Sequence, residues 1–375
     1  MTGLSMFEVP ALLGAAGGQV PVLATEMFYA VRPATGEATL ISYGAAGVYG
    51  VLIAVPCLFG LYFYHRVLSR AHRYGVITAK GYRPRLHDLG SVKYLALGFA
   101  LLYVLLAAVM PMLVLFWMSL FPFVRMPSLE ALSSASFNNY DPEYFMAILG
   151  GPQVIWNTAL LMVFVPLLVL VFSVTISWIV VRTRLPLRRL MDNIAMLPHA
   201  IPGLAFAFAL FIVALYADRW LPWISLSGTL AIIVVAHVME RITYATRITH
   251  AALLQIQQDL EESARVCGAR TLTTLWRVLV PLVKPSLVFA GLWTALLTFR
   301  EVSLALFLAG PRSQVLSVGV WLAWEGGNIG PASAGAVAMV MVIGLLLLAV
   351  LGLSGGQFMD YRRGFFAGGS RSAAP

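Results

Sequence analysis

The sequence predicts an all-α chain that crosses a membrane about seven times. Three observations predict it. Hydrophobic residues make up 60% of the chain and charged residues only 11%, more apolar surface than a water-soluble core can hide. The apolar residues fall into runs near the ~20 residues with which a helix crosses the hydrocarbon core. The formal charge of +9 gathers in alternate loops, as in loops that stay on the cytoplasmic side. This clustering explains the basic balance by a lipid surface and not by nucleic acid.

Taken in order, residues 1–44 are mildly apolar and broken by Gly and Pro. They carry Glu8, Glu26 and Glu37 against Arg32, with no basic leading segment, and so do not read as a signal peptide. The first span is expected at about 45–64. The most basic loop follows, with Arg66, Arg70, Arg73, Lys80, Arg83, Arg85 and Lys93. A second span, 94–121, holds Pro111 as an expected kink. A third, 154–181, leads to Arg182, Arg184, Arg188 and Arg189. The fourth, 190–217, opens with LPHAIPG, and Pro198 to Pro202 should loosen it. The fifth is expected at 228–246, the sixth at 286–309 and the seventh at 331–353, with external stretches at 122–153, about 220–227 and 310–332. The tail carries Arg362, Arg363 and Arg371. Every second loop is basic, which predicts an external N-terminus and a cytoplasmic C-terminus. Cys57 in a span and Cys267 in a loop would face different environments, so no disulfide is expected. There is no phosphate-binding glycine loop of the Walker type, so ATP is not held by such a loop in this chain.

One polar island, Asp259 to Pro285, stands between two apolar runs. Asp259 with Glu262 three residues on is a capping-box spacing, so a helix should start near Leu260. Gly268 should end it, because glycine enters the left-handed region without steric cost. A second helix is expected over about 271–280, closed by Pro281.

This stretch resembles the EAA loop of ABC-importer permeases: E-A-A, three residues, Gly, nine residues, I-x-L-P. Here it reads Glu262-Ser263-Ala264, Gly268, then Val278-Leu279-Val280-Pro281, with Ser263, Val278 and Val280 departing conservatively. The resemblance implies the type I importer permease fold in a bacterial inner membrane, and a chain that is not itself an enzyme. It implies that Asp259, Glu262, Ser263, Ala264, Gly268, Val278 and Pro281 serve coupling to a cytoplasmic ATPase dimer, with a periplasmic substrate-binding protein on the other side. No cofactor and no resident metal are implied.

An internal echo suggests the organisation. Phe7-Glu8-Val9-Pro10-Ala11-Leu12-Leu13 is similar to Arg300-Glu301-Val302-Ser303-Leu304-Ala305-Leu306, and Gln19-Val20 to Gln314-Val315, at an offset of roughly 295 residues. On this reading residues 1–66 are the tail of a preceding, mostly missing permease repeat. Residues 67–93 are a basic linker, 94–358 a six-span permease domain with its coupling loop at 250–285, and 359–375 a cytoplasmic tail. The second coupling loop would come from another permease chain or a second copy of this one.

The runs around Arg300-Glu301-Val302, GPRSQVLSVGVWLAW and the opening FEVPALLG resemble iron(III) permeases, which implies ferric iron as substrate. Relatives for thiamine, polyamine, phosphonate or sulfate remain the alternative. Ionisable groups in or near spans are expensive and so are pathway candidates: His199, His237, Glu240, Arg241, Arg300 and Glu301. His237 and Glu240 share a helix face and can line one cavity or pair with each other. The same groups would serve as relays in a proton-coupled secondary transporter. A membrane-embedded enzyme finds no nucleophile motif, metal-ligand cluster or phosphate loop.

Overall fold

A computed structural model describes residues 7–17, 21–32, 41–68, 90–221, 223 and 225–367. Gln19-Val20, the basic run from Arg70 to Arg85 and Arg371 lie outside the described residues, as does the side chain of His199. The described chain is helical, with no strand; two residues, Gly228 and Ala309, form an isolated bridge. The helices are α1 (Glu8–Gly17), α2 (Leu23–Val31), α3 (Tyr43–Leu68), α4 (Val92–Ser119), α5 (Leu129–Ser133), α6 (Pro142–Leu149), α7 (Pro152–Arg182), α8 (Arg188–Ala200), α9 (Gly203–Trp220), α10 (Leu230–Gln255), α11 (Asp259–Val266), α12 (Thr271–Phe299), α13 (Ser303–Leu308), α14 (Leu316–Glu325) and α15 (Ile329–Ala367).

Among the described residues, six helices are long and apolar enough to span a membrane: α3, α4, α7, α9, α12 and α15. Seven were expected. The difference is α10, which has 26 residues but carries Glu240, Arg241 and Arg247 along its length.

The chain divides into two compact units. One comprises residues 1–151 and 319–338. Its α4 buries nothing from Val92 to Val104, which suits a helix solvated by hydrocarbon. Phe7, Met27 and Phe28 are buried, with the Phe7 ring 4.5 Å from Phe28 and 5.3 Å from Trp321. Burial holds the Glu325 carboxyl above the ordinary carboxylate range, and the positive charge of Arg32 opposes that shift. Beyond α4 the chain is tied by Asn139, whose amide donates to Ser119 O at 2.8 Å and Phe121 O at 3.0 Å. Gly330 lies against this knot: a Cβ there would sit 2.1 Å from Phe121 O and 2.7 Å from Asn139 Nδ2.

The other unit comprises residues 152–318 and 339–375. Its frame is α10 packed along α7, with α12 against both. Hydroxyls stitch the frame where apolar burial gives little drive in lipid: Ser177 donates to Thr246 O at 3.1 Å and Thr243 to Ala195 O at 2.6 Å. At one end Val174, Leu253, Leu275, Leu279 and Val283 form a buried cluster with Trp178 packed on it. Helix α9 packs on α13, with Phe208 and Phe307 rings 6.2 Å apart.

Prolines explain most departures from the expected spans. The fourth span is not continuous over 190–217. Pro202 drives Ile201 to φ −93°, ψ 130°, so α8 ends there and α9 starts at Gly203. Pro198, expected to share in the loosening, lies inside α8. The sixth span does not run to 309: α12 ends at Phe299, and α13 restarts after Arg300–Val302. The expected external stretch 310–332 contains α14. Conversely, Pro281 does not close a helix at 280. A π-turn over Leu275–Leu279, in which Val280 N–H reaches Leu275 O, precedes it and the helix runs on to Phe299. The same device precedes Pro111, where Leu105–Val109 is a π-turn and Met110 N–H reaches Leu105 O. A widened turn accommodates the proline, which has no N–H and crowds the carbonyl four residues back, without breaking the helix.

Gly330→Val forces Cβ into a backbone carbonyl and should cost about 1–3 kcal/mol. Thermal unfolding of the purified chain in detergent checks this; an unchanged midpoint would show that the knot yields freely.

Candidate functional site

The residues of EAA-like spacing form the hairpin α11–turn–α12. Gly268 has φ +82°, Ala269 N–H donates to Ala264 O at 3.0 Å and Gly268 N–H to Arg265 O at 2.9 Å. This is a Schellman closure, and the left-handed residue it requires is the glycine the spacing anticipated. The capping box is not made. Gln258 is the N-cap with helical angles and no side-chain cap, and the helix begins at Asp259. Asp259, Glu261 and Glu262 instead fill the first turn, where the helix dipole favours negative charge. Ser263 turns inward on its own helix, donating to Asp259 O at 2.7 Å.

Asp259, Glu262, Ser263, Gly268 and Pro281 are exposed, while Ala264 and Val278 are half-buried. The residue that seats α11 is one the spacing passed over. Glu261 is buried, and its Oε1 lies 2.7 Å from Arg182 Nε, with both side chains under 8% exposed. The same guanidinium donates to Leu253 O at 2.9 Å and Ile256 O at 2.6 Å. Arg182, the last residue of α7, therefore satisfies the open carbonyls at the end of α10 and holds α11. The acidic neighbours of Glu261, Asp259 and Glu262, share the same turn, so no local signal in the sequence singles it out.

A second cluster joins α10 to the break after α12. Arg241 lies 2.8 Å from Glu301 Oε2 and 3.3 Å from Glu240 Oε2, and reaches Leu297 O at 3.5 Å. Glu240 borders the first residue of α9: a Cβ on Gly203 would sit 3.5 Å from its Oε1. Two discontinuities, at Ile201–Pro202 and Arg300–Val302, thus meet one charge cluster. Arg300 is exposed while Glu301 turns inward. The expected alternative of a His237–Glu240 pair is not made. His237 is 1% exposed, and neither ring nitrogen has a hydrogen-bond partner among the described residues. His199 lies on α8 with its side chain outside the described residues.

This arrangement of helices is that of a type I ABC-importer permease. The chain superimposes on a chain from a crystal structure described as a bacterial alginate ABC transporter in complex with alginate pentasaccharide-bound periplasmic protein. The TM-score is 0.54 at 18% identity, over 70% of this chain and 94% of that one. Residues 173–357 match the family described as binding-protein-dependent transport system inner membrane component. It is 24% identical over 356 residues to the ferric transport system permease protein FbpB of Actinobacillus pleuropneumoniae, covering 92% of this chain and 48% of that protein. It is 27% identical over 266 residues to the sulfate transport system permease protein CysT of Escherichia coli (strain K12), covering 68% of this chain and 89% of that one. The chain thus spans about half the length of the ferric relative.

Glu261→Leu strands a buried guanidinium and should cost about 3–5 kcal/mol, whereas Arg182→Met with Glu261→Leu should recover most of it. The double variant stays short of wild type by about 1–3 kcal/mol, because Leu253 and Ile256 carbonyls lose their donor. A double-mutant cycle on thermal stability measures both; simple additivity would dissolve the pair.

Proposed function

We propose that this chain is the permease of an ATP-driven importer and that α11 is its coupling helix. One observation carries the reading: a Glu262–Gly268–Pro281 hairpin of EAA spacing whose buried Glu261 is clamped to the ends of α7 and α10. A loaded binding protein docks outside. ATP closes a separate cytoplasmic ATPase dimer. Helix α11 moves with the ATPase, and Arg182 passes that motion to two long helices at once. Along α10 the motion reaches Arg241 and hence Glu301, beside two helix breaks. Irregular backbone at membrane depth is tolerated where it is buried in protein or lines a cavity, which supports a gate there.

The N-terminus is outside and the C-terminus cytoplasmic on this reading, from the loop charges. The second coupling loop comes from another permease chain or a second copy. Support for a preceding repeat is that α1, α2 and α3, two short helices and a long one, follow the same order as α13, α14 and α15.

For substrate we favour ferric iron over sulfate. The ferric relative aligns over 92% of the chain. The cluster sets two half-buried carboxylates against one buried guanidinium, a surplus that suits a cation better than a dianion. Sulfate keeps a specific claim in the CysT alignment. The deciding experiment is ATP hydrolysis by the reconstituted importer with iron-loaded or sulfate-loaded binding protein. Iron stimulation is expected. Stimulation by sulfate alone overturns the substrate and keeps the permease. Uptake that collapses with the proton gradient and ignores ATP overturns both. Gly268→Phe should abolish stimulated hydrolysis while the chain still inserts, because a side chain at φ +82° strains the turn and projects from α11. Unchanged stimulated hydrolysis in that variant would remove α11 from the coupling path.

A further inference from the structure

Beside the Arg182–Glu261 pair lies a polar cavity of about 460 Å³. Its walls are the end of α7 and its following loop on one side and the face of α11 on the other. Arg182, Arg184, Arg188 and Arg265 line it, with Glu261 and Glu262 as the only acids among its described lining residues. Glu261 is spent on Arg182 at 2.7 Å. Arg188 donates to Thr183 O at 2.8 Å and keeps the rest of its guanidinium for the cavity. The balance is positive, and the walls come from two segments far apart in sequence. Guanidiniums held around a recess repel one another until an anion sits between them, and their planar forks match the oxygens of a phosphate group. The cavity also opens where α7, an apolar helix of 31 residues, has just ended. A bilayer crossed by α7 would bring its headgroups near this basic end, and basic pockets between helices hold anionic lipid heads.

We propose that this cavity binds a phosphate-bearing anion, bridging Arg184 of the α7–α8 loop to Arg265 of α11. Such a bridge reinforces the seat of α11 from its outer side, and occupancy adjusts how firmly the hairpin is held. Only that effect rests on the coupling reading; the binding stands on the cavity.

The test uses the full-length chain with two probes. One is inorganic phosphate in titration calorimetry. The other is retention of phosphatidylglycerol, read by native mass spectrometry after extraction from nanodiscs of phosphatidylcholine with and without it. The variant is Arg184→Gln with Arg265→Gln, which leaves the buried pair intact. The control is Arg277→Gln, an exposed cation on α12 outside the cavity. Thermal unfolding establishes that both variants are folded. Saturable binding is expected in wild type and control, weakened about tenfold or more in the double variant. Binding of lipid alone identifies a headgroup site, and binding of phosphate alone a soluble anion; either supports the proposal. Equal loss in the control, no saturable binding of either probe, or a double variant that loses only association with an ATPase subunit overturns it. The last outcome would assign the arginines to a protein contact. Binding that persists while Gly268→Phe leaves stimulated hydrolysis unchanged would keep the site and reject only the coupling role.

Discussion

A single guanidinium, that of Arg182, holds the ends of three helices. In an assembly this apolar, hydrophobic burial does little to choose one helix arrangement over another, because lipid solvates a Leu face as well as protein does. Polar ties then decide the register. Arg182 has the reach and the donors to bind two terminal carbonyls of α10 and the Glu261 carboxylate together. Lysine at this position would supply a charge without the fork. The buried cluster of Val174, Leu253, Leu275, Leu279 and Val283 fills the same end, so packing and the ion pair support one geometry.

The charge cluster around Arg241 obeys the same logic at greater cost. Charges are tolerated here because each carboxylate has the guanidinium beside it, and because two helices stop nearby. The stops at Ile201–Pro202 and Arg300–Val302 leave free peptide groups among charged side chains and away from hydrocarbon. His237, one helical turn from Arg241, is a buried imidazole with no hydrogen-bond partner for either nitrogen among the described residues.

How much of this was legible depended on how local the cause was. Gly268 was legible because the demand for a left-handed residue acts within one turn. The spans α4, α7 and α15 were legible because their apolar runs are uninterrupted. The role of α10 was blurred because its arginines pair with distant acids, Arg241 with Glu301 sixty residues on and Arg247 with Asp192, which no window of hydropathy sees. Glu261 was passed over for the same reason. Three acids crowd one turn, and only the distant Arg182 selects among them. The prolines misled in both directions: Pro202 interrupts a helix that hydropathy joined, and Pro281 leaves intact one that the motif divided.

The widened turn before Pro281 gives the two routes out of α11 different stiffness. The route through Arg182 is short, charged and anchored on three atoms, so it moves nearly as a solid. The route along the chain itself passes through Leu275–Leu279, where the hydrogen-bond ladder carries one extra residue and can slip its register before it stretches. If the hairpin serves coupling as proposed, a displacement of it would pass sideways into α7 and α10, while α12 would absorb it like a spring washer.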